Sequence, residues 1–460
     1  MKMRFAWVLG LAACMSNAGD VGDGVDDSFV SGGKADGAVS DGSPEATGVL
    51  AVANTLSQSA LDNDVGLDSR AAKGIVARRP FSNLASLDAV PYVGPVAFDK
   101  LLAYARAHGF ITASGSSIAL ADSAPGSDQA FACRVTNAGT LECWGMNWYG
   151  TLGNGAASTF DHTVYAPQAV PGLSNVTAVT AGAKFVVALA AGKVSWWGND
   201  SFAKSTSSSP TAVAGLSNIT AITTGLEHAC ALHADGTASC WGSNSNGQLG
   251  DGTKTARATP AVVPGVTNIT AIAAGGDHTC ALLGTGEVSC WGENKQHQID
   301  YDFGDFFSGD DVMVPHVLPE ITGATAIAAG VSHTCAIVSD GDVECWGGVY
   351  GAGGSDQYSP IANVKHAVAI SAGYAHTCAL ESTGEVVCWG WAGLGQLGVS
   401  TAGCAFDESG NCPTNNPSGR VIASNAVEVV AKGDSTCVRG TDDHITCWGV
   451  IDTDLGQTTW

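Results

Sequence analysis

The chain has 460 residues and a formal net charge of −23, with 45% hydrophobic and only 14% charged residues. That balance argues against the bulk of the chain binding nucleic acid or an anionic membrane surface. Length alone allows about three ordinary domains, but internal repeats override that count. Fifteen cysteines, fourteen of which can be paired off, indicate an oxidising compartment.

Met1-Lys2-Met3-Arg4 is a basic start, and Phe5 to Ala13 is an apolar run too short to span a bilayer. It ends in Leu11-Ala12-Ala13-Cys14, which resembles a bacterial lipobox with Cys14 as the lipidated residue. Ordinary secretion, with cleavage after Ala18, is the alternative. Residues 1–14 are thus expected to be a signal peptide, and the lipid on Cys14 the only contact with a membrane, at the outer membrane or cell surface. Residues 15–46 are rich in Gly, Asp, Ser and Ala and are expected to form a disordered tether.

Residues 47–110 read as helical. Val49 to Leu56 and Ser69 to Arg79 are two helices, Leu84 to Ala89 follows an N-cap at Ser82, and Pro95 to His108 stops at Gly109. The turn Val90-Pro-Tyr-Val-Gly-Pro95 between the last two resembles the helix-hairpin-helix module of DNA-handling proteins. That likeness implies phosphate capture by turn N–H groups, here at Val93 and Gly94, with Lys100 beside them. Six Lys or Arg within 70–110 face only Asp88 and Asp99, a basic island in an acidic chain. Tyr92 stands where that family usually has Gly, so a helical spacer without DNA contact is the competing reading.

Residues 111–460 are organised around one repeated phrase, seen most fully in His278-Thr-Cys-Ala-Leu-Leu-Gly-Thr-Gly-Glu-Val-Ser-Cys-Trp-Gly292. Two short runs flank a Gly-bearing turn and read as a β-hairpin. Cys280 and Cys290 are equidistant from Thr285, so a three-residue loop sets them opposite each other, at about the 4.5 Å Cα separation a disulfide accepts. The phrase recurs at Cys133/Cys143, Cys230/Cys240, Cys335/Cys345, Cys378/Cys388 and Cys437/Cys447. In a degenerate copy Val187 and Trp196 replace both cysteines, and the turn shortens to Ala191-Gly192, so the two still face each other. Loss of both halves together is what pairing within each hairpin predicts.

First cysteines, or Val187, fall at 133, 187, 230, 280, 335, 378 and 437, a period that holds about four short strands. Helix-free units at this period indicate an all-β propeller whose closure shields the sheet edges. Ala274-Gly-Gly-Asp-His278-Thr-Cys-Ala-Leu282, with Trp241-Gly-Ser-Asn-Ser-Asn-Gly-Gln-Leu-Gly250 and Trp389 to Gly398, resembles the RCC1 (regulator of chromosome condensation) repeat. The likeness runs through most of 111–460 and implies a seven-bladed β-propeller. Blade one carries an insert near Ala124 to Gln129 and lacks a Pro-led outer strand, which leaves ring closure open. Proteins of that family exchange nucleotide on a small GTPase, inhibit a β-lactamase or act as adaptors, all by presenting loops to a protein. No exchange activity carries over from the repeat phrase itself.

His228, His278, His333 and His376 share a repeat position with Phe131, Phe185 and Ser435, which suits structural histidines better than ligands. Asn175, Asn218 and Asn268 match glycosylation sequons, but they fall in repeat phase before a strand. The unrepeated segments are the candidates for function. One is Asp300 to Asp311, where Tyr301, Phe303, Phe306 and Phe307 are expected partner anchors; calcium binding is the alternative, though its Asp spacing lacks an EF-hand pattern and a closing Glu is absent. The other is Cys404-Ala-Phe406-Asp-Glu-Ser-Gly-Asn-Cys412, expected to be closed by its own disulfide. A solvated insertion with no partner is the bland reading of both. No nucleophile elbow, zincin helix, P-loop or dinucleotide fingerprint is present. The expectation is a monomeric, non-enzymatic surface protein, without cofactor or metal, that binds an unknown protein partner. Extracellular DNA binding through 70–110 is the alternative, and a hydrolase with a site on the propeller axis a more distant one.

Overall fold

A computed structural model describes most of residues 49–101. In the repeat region it describes 117–121, 130–136, 138–157, 163–200, 205–299, 311–348, 359–361, 363–398, 416–442, 444–450 and 458–459. The leader, the tether, most of the 300–311 insert and the 404–412 loop lie outside the described residues.

Seven four-stranded antiparallel sheets follow one another along the chain, each built from consecutive strands. Blades one to seven span 118–169, 176–212, 219–262, 269–318, 326–360, 367–423 and 426–459. In six of them the second and third strands set Cys directly opposite Cys. All six pairs are bonded: Cys133 to Cys143, Cys230 to Cys240, Cys280 to Cys290, Cys335 to Cys345, Cys378 to Cys388 and Cys437 to Cys447. Their Cα atoms are 4.0 to 4.1 Å apart, a little closer than the spacing expected from an ideal opposed pair. The staples lie within hairpins, as their symmetry about the turn requires. In blade two Val187 opposes Trp196, and the turn residues Ala191 and Gly192 have φ of 49° and 74°. That pair of left-handed residues is the two-residue hairpin geometry favoured by strand twist.

The first strand of every blade neighbours the first strands of the blades on either side, from blade one round to blade seven. Ile118–Leu120 of blade one meets Ala426–Lys432 of blade seven at the closure. There Ser117 N donates to Glu428 Oε1 at 2.8 Å, the Ser117 hydroxyl bonds the other carboxylate oxygen, and Arg439 Nε reaches it from 3.0 Å. Ile118, Leu120, Ala132 and Trp144 pack with Val430, Cys437, Ile445 and Cys447 beneath them. Blade one does have a proline-bearing outer strand, Thr163–Ala169 with Pro167, correcting the expectation drawn from sequence. Sixteen residues separate it from the third strand, which ends at Met146, and that distance hid it.

Neighbouring blades are joined at one end of the axis by backbone hydrogen bonds between the turns that link first and second strands. Ala183 N donates to Leu226 O (3.0 Å), Leu226 N to Gly276 O (3.2 Å), Val331 N to Gly373 O (3.3 Å) and Tyr374 N to Gly433 O (2.6 Å). The turns of blades two to six are Gly-led because the side chain at the head of the second strand folds over them. A Cβ on Gly275, Gly330 or Gly373 would fall far inside contact distance of the following histidine ring. In blade seven the ring is replaced by Ser435, and Lys432 occupies the Gly place. Its Nζ donates to Thr224 O of blade three at 2.7 Å.

Before the propeller, α1 (Gln58–Asn63) and α2 (Ser69–Arg78) bury Leu61, Ala71, Ala72 and Ile75 in one cluster with Leu87, Val90 and Leu101. Asp68 caps α2 by accepting from Arg70 N at 2.8 Å.

Candidate binding rim and the cleft between blades two and three

The two rims of the propeller differ. One carries the turns between second and third strands and the connections between blades, and it is nearly uniform. Gly139, Gly236, Gly286, Gly341 and Gly384 all have positive φ there, as do Asn175, Asn218 and Asn268 at 52°, 53° and 58°. Asn at the sequon-like positions is therefore a turn residue chosen for its left-handed backbone. The opposite rim carries the Gly-led turns and the loops between third and outer strands, and here the blades diverge.

Three of those loops act as wedges between blades. Gln248 O, in the blade-three loop, accepts from Trp291 Nε1 (2.9 Å) and from the Thr279 hydroxyl (3.0 Å), both in blade four. Gln298 O does the same for Trp346 Nε1 (3.0 Å) and Thr334 (2.8 Å) of blade five. Thr151 O of blade one accepts from Trp197 Nε1 at 2.8 Å. Each loop is folded by one buried Asn: Leu249 N donates to Asn244 Oδ1, Ile299 N to Asn294 Oδ1 and Leu152 N to Asn147 Oδ1, at 2.9 to 3.0 Å. Leu249 and Ile299 then pack in the clusters that hold Trp291 and Trp346. The Gln248 amide also donates to Asp277 Oδ1 at 2.8 Å.

Blade two has no room for a wedge. Its third strand ends at Asp200, paired with Ser205 of the outer strand, so four residues replace the sixteen of blade one and fourteen of blade three. The space is left as an open cleft, walled by Phe185, Trp196, Ala229 and Trp241, with Lys184, Asn199 and Glu227 among its polar lining. No described residue accepts a hydrogen bond from Trp241 Nε1, in contrast to Trp197, Trp291 and Trp346. Ala229 stands where blades four and five have the carbonyl-bonding Thr. Lys184 sits over the Tyr149 ring, 5.4 Å from its centroid. Next to the cleft, Asp277 is raised to about 6 by burial first and then by the Glu293 and Glu227 carboxylates. Lys295 Nζ lies 2.7 Å from Glu293 Oε1.

The histidines are buried and neutral. His228, His278 and His376 are lowered to about 3 and His333 to about 4, in each case by burial. Each Nε2 bonds a Thr hydroxyl of the next blade, as expected of structural residues.

The bonded cysteines belong to the scaffold and not to the cleft. Cys133, Cys230, Cys280, Cys335, Cys378 and Cys437 on the second strands are buried, as are Cys143, Cys240, Cys290, Cys345, Cys388 and Cys447 on the third, and none of them lines the cleft. Of the other sequence candidates, Tyr301, Phe303, Phe306, Phe307, Phe406, Cys404, Cys412, Cys14 and Gly94 lie outside the described residues. The insert's last residue, Asp311, pairs with Lys254 (2.5 Å) and leads into the outer strand Val312–Leu318, where Met313, Val314 and Val317 are exposed. Val93 is buried and its N–H donates to Val90 O at 3.0 Å, while Lys100 Nζ donates to Gly66 O at 2.6 Å. Arg79 is turned inward to the carbonyls of Ala53 and Leu56. Tyr92 takes φ 70°, the left-handed backbone of a glycine, with Arg70 stacked 4.2 Å above its ring. Sequence reasoning missed the cleft, although the short gap before Ser205 was a visible signal.

These features define a seven-bladed β-propeller with six hairpins pinned by disulfides and several blades wedged by loops from one rim. The chain carries the repeat described as "Regulator of chromosome condensation (RCC1) repeat", matched at residues 139–189 and 235–282, and in a second form at 219–248, 269–298, 324–348 and 367–396. Among solved structures it is similar to yeast RCC1 (Prp20) in complex with Kap60, at 21% identity and TM-score 0.59, over 67% of this chain and 78% of that one. Prp20p from Saccharomyces cerevisiae matches at 19% identity and TM-score 0.59, over 68% and 82% of the two chains. Human WBSCR16 matches at 19% and TM-score 0.58, over 69% and 85%. At these identities the likeness is one of fold. No curated protein matches the chain by sequence.

Proposed function

We propose that this chain is a non-enzymatic protein-binding propeller of the bacterial envelope, tethered through lipid on Cys14, that engages its partner with the rim carrying the divergent loops. The observation that carries this reading is the asymmetry between the rims. One repeats a single turn design, while the other holds the cleft, the wedge loops and partly exposed Trp148, Tyr149, Tyr374 and Trp391. Aromatic side chains with polar neighbours are the usual anchors of protein interfaces. Six disulfides support a non-cytoplasmic location. Relatives of the same fold were solved bound to Kap60 or studied for binding to Gsp1p and histones, which supports a protein as the partner class.

DNA capture by 70–110 is less well supported, because Arg79 and Lys100 are already bonded to backbone carbonyls and Arg70 to Asp68. In-cell crosslinking of the full chain, comparing wild type with deletion of 300–311 and with Trp391→Ala, tests the proposal. A crosslinked protein weakened by either change is expected. Crosslinks unchanged by both would remove the 300–311 insert and Trp391 as contacts, and salt-sensitive gel shifts of DNA would favour the other reading.

A further inference from the structure

We infer that the cleft between blades two and three is a receptor for a peptide turn of the partner, seated where blades one, three and four seat their own wedge loop against the next blade. This deepens the protein-binding reading and rests on it. Each wall of the cleft matches a wall that a wedge covers elsewhere in the ring. Trp241 is the counterpart of Trp291, whose indole N–H is satisfied by Gln248 O. Glu227 is the counterpart of Asp277, whose carboxylate receives the Gln248 amide. The apolar contact that Leu249 makes in the Trp291 cluster is offered here by Phe185, Trp196 and Ala229.

The ligand chemistry follows from what is left unsatisfied. A backbone carbonyl takes the Trp241 N–H, and an aliphatic side chain such as Leu covers the aromatic wall. An amide or cationic side chain reaches Glu227, which is exposed and makes no hydrogen bond through its side chain among the described residues. A cationic group there also meets the field of Asp277 and Glu293, the charges that act on each other beside the cleft. A buried indole N–H facing an apolar ligand would lose its hydrogen bond to water without replacement, so a peptide is favoured over a purely apolar molecule.

The test uses the full chain and a head-to-tail cyclic peptide copying its own residues 243–252, Ser-Asn-Ser-Asn-Gly-Gln-Leu-Gly-Asp-Gly. The probe is titrated into the millimolar range while the indole N–H signals are followed by NMR, assigned with Trp241→Phe and Trp196→Phe. The Trp241 signal is expected to shift saturably. A second probe with Glu in place of its Gln is expected to bind about tenfold more weakly, for loss of one charge-assisted bond and gain of a like charge. Glu227→Lys, a change at an exposed site, is expected to reverse that order. An unmoved Trp241 signal, or equal affinity of the two probes for wild type, overturns the inference. If the probe fails while crosslinks to the partner persist, the cleft assignment falls and the proposed function stands. If the probe behaves as expected and no crosslink depends on the rim, the cleft takes peptide turns but none from the crosslinked partner, and the proposed function falls.

Discussion

His228 Nε2 stands 2.9 Å from Thr279 Oγ1 in the next blade, and that hydroxyl passes its own proton to Gln248 O at 3.0 Å. The Thr proton is thereby spent, so His228 must donate from Nε2 and leave Nδ1 bare. The same bond joins His278 to Thr334, His333 to Thr377 and His376 to Thr436, at 2.8 to 2.9 Å. Blades that lack the His are followed by blades that lack the Thr: Phe131 precedes Val186, Phe185 precedes Ala229, and Ser435 faces Ala132 across the closure. Donor and acceptor are lost together, as they must be where an orphaned buried partner is costly.

Acid should loosen these four joints. Their folded pKa values lie below the ordinary value of 6.5, so the unfolded chain binds more protons between about 6.5 and 3. The stability they contribute is complete above pH 6.5 and is lost as the pH falls through that window, at a limiting slope of about 1.4 kcal/mol per pH unit for each histidine. Asp277, raised to about 6, works in the opposite direction and offsets part of one histidine's effect. Denaturation of His278→Phe across pH 4 to 7 should show a slope shallower by up to one proton. An unaltered slope would show that this ring is protonated as readily in the folded protein as outside it.

The glycine of the axial turn should be intolerant for a reason that can be isolated. Gly373→Ala drives a methyl into the His376 ring and places it 2.8 Å from Gly433 O, and should cost more than about 3 kcal/mol. Adding His376→Ser, the residue blade seven uses beside Lys432, should restore part of the loss and leave the share set by the Gly433 carbonyl. Thermal midpoints of the single and double variants decide it. No recovery in the double variant would assign the whole constraint to the backbone.

Reduction should act blade by blade. Each staple closes a loop of about eleven residues, worth roughly 2–3 kcal/mol in the chain-entropy account, and blade two has none to lose because Val187 and Trp196 fill its place. Amide exchange with and without reductant should speed up in the other hairpins and least in Phe185–Ala190 and Lys193–Asp200. A uniform loss of protection would contradict this.

Much of this architecture can be read along the chain because its controlling symmetry is local. Cys280 and Cys290 are ten residues apart and equidistant from one turn, so their pairing needs no knowledge of the rest of the molecule. The same holds for Cys143, Cys240, Cys345 and Cys388, each bonded to the cysteine ten residues before it. The His–Thr joints cannot be read in that way, since His228 and Thr279 are 51 residues apart and meet only once two blades stand side by side. The cleft was hidden for a related reason. A shortened loop is visible in sequence, but what it fails to cover belongs to the neighbouring blade. Pro167 was concealed by the length of the loop before it, not by any change in the strand itself.

The closure between blades one and seven is the one junction in the ring where the two neighbours are not consecutive in sequence, and the six described sulfur bridges stay inside their own hairpins. Every sheet keeps its own four consecutive strands, so no strand is lent across the junction. Among the described residues the circle is held shut by the bonds of Ser117 to Glu428, which Arg439 of the same blade steadies, and by a small apolar patch. A pull on the two ends of the array would therefore unzip it like a clasped bracelet, opening at the fastener while every link stays whole.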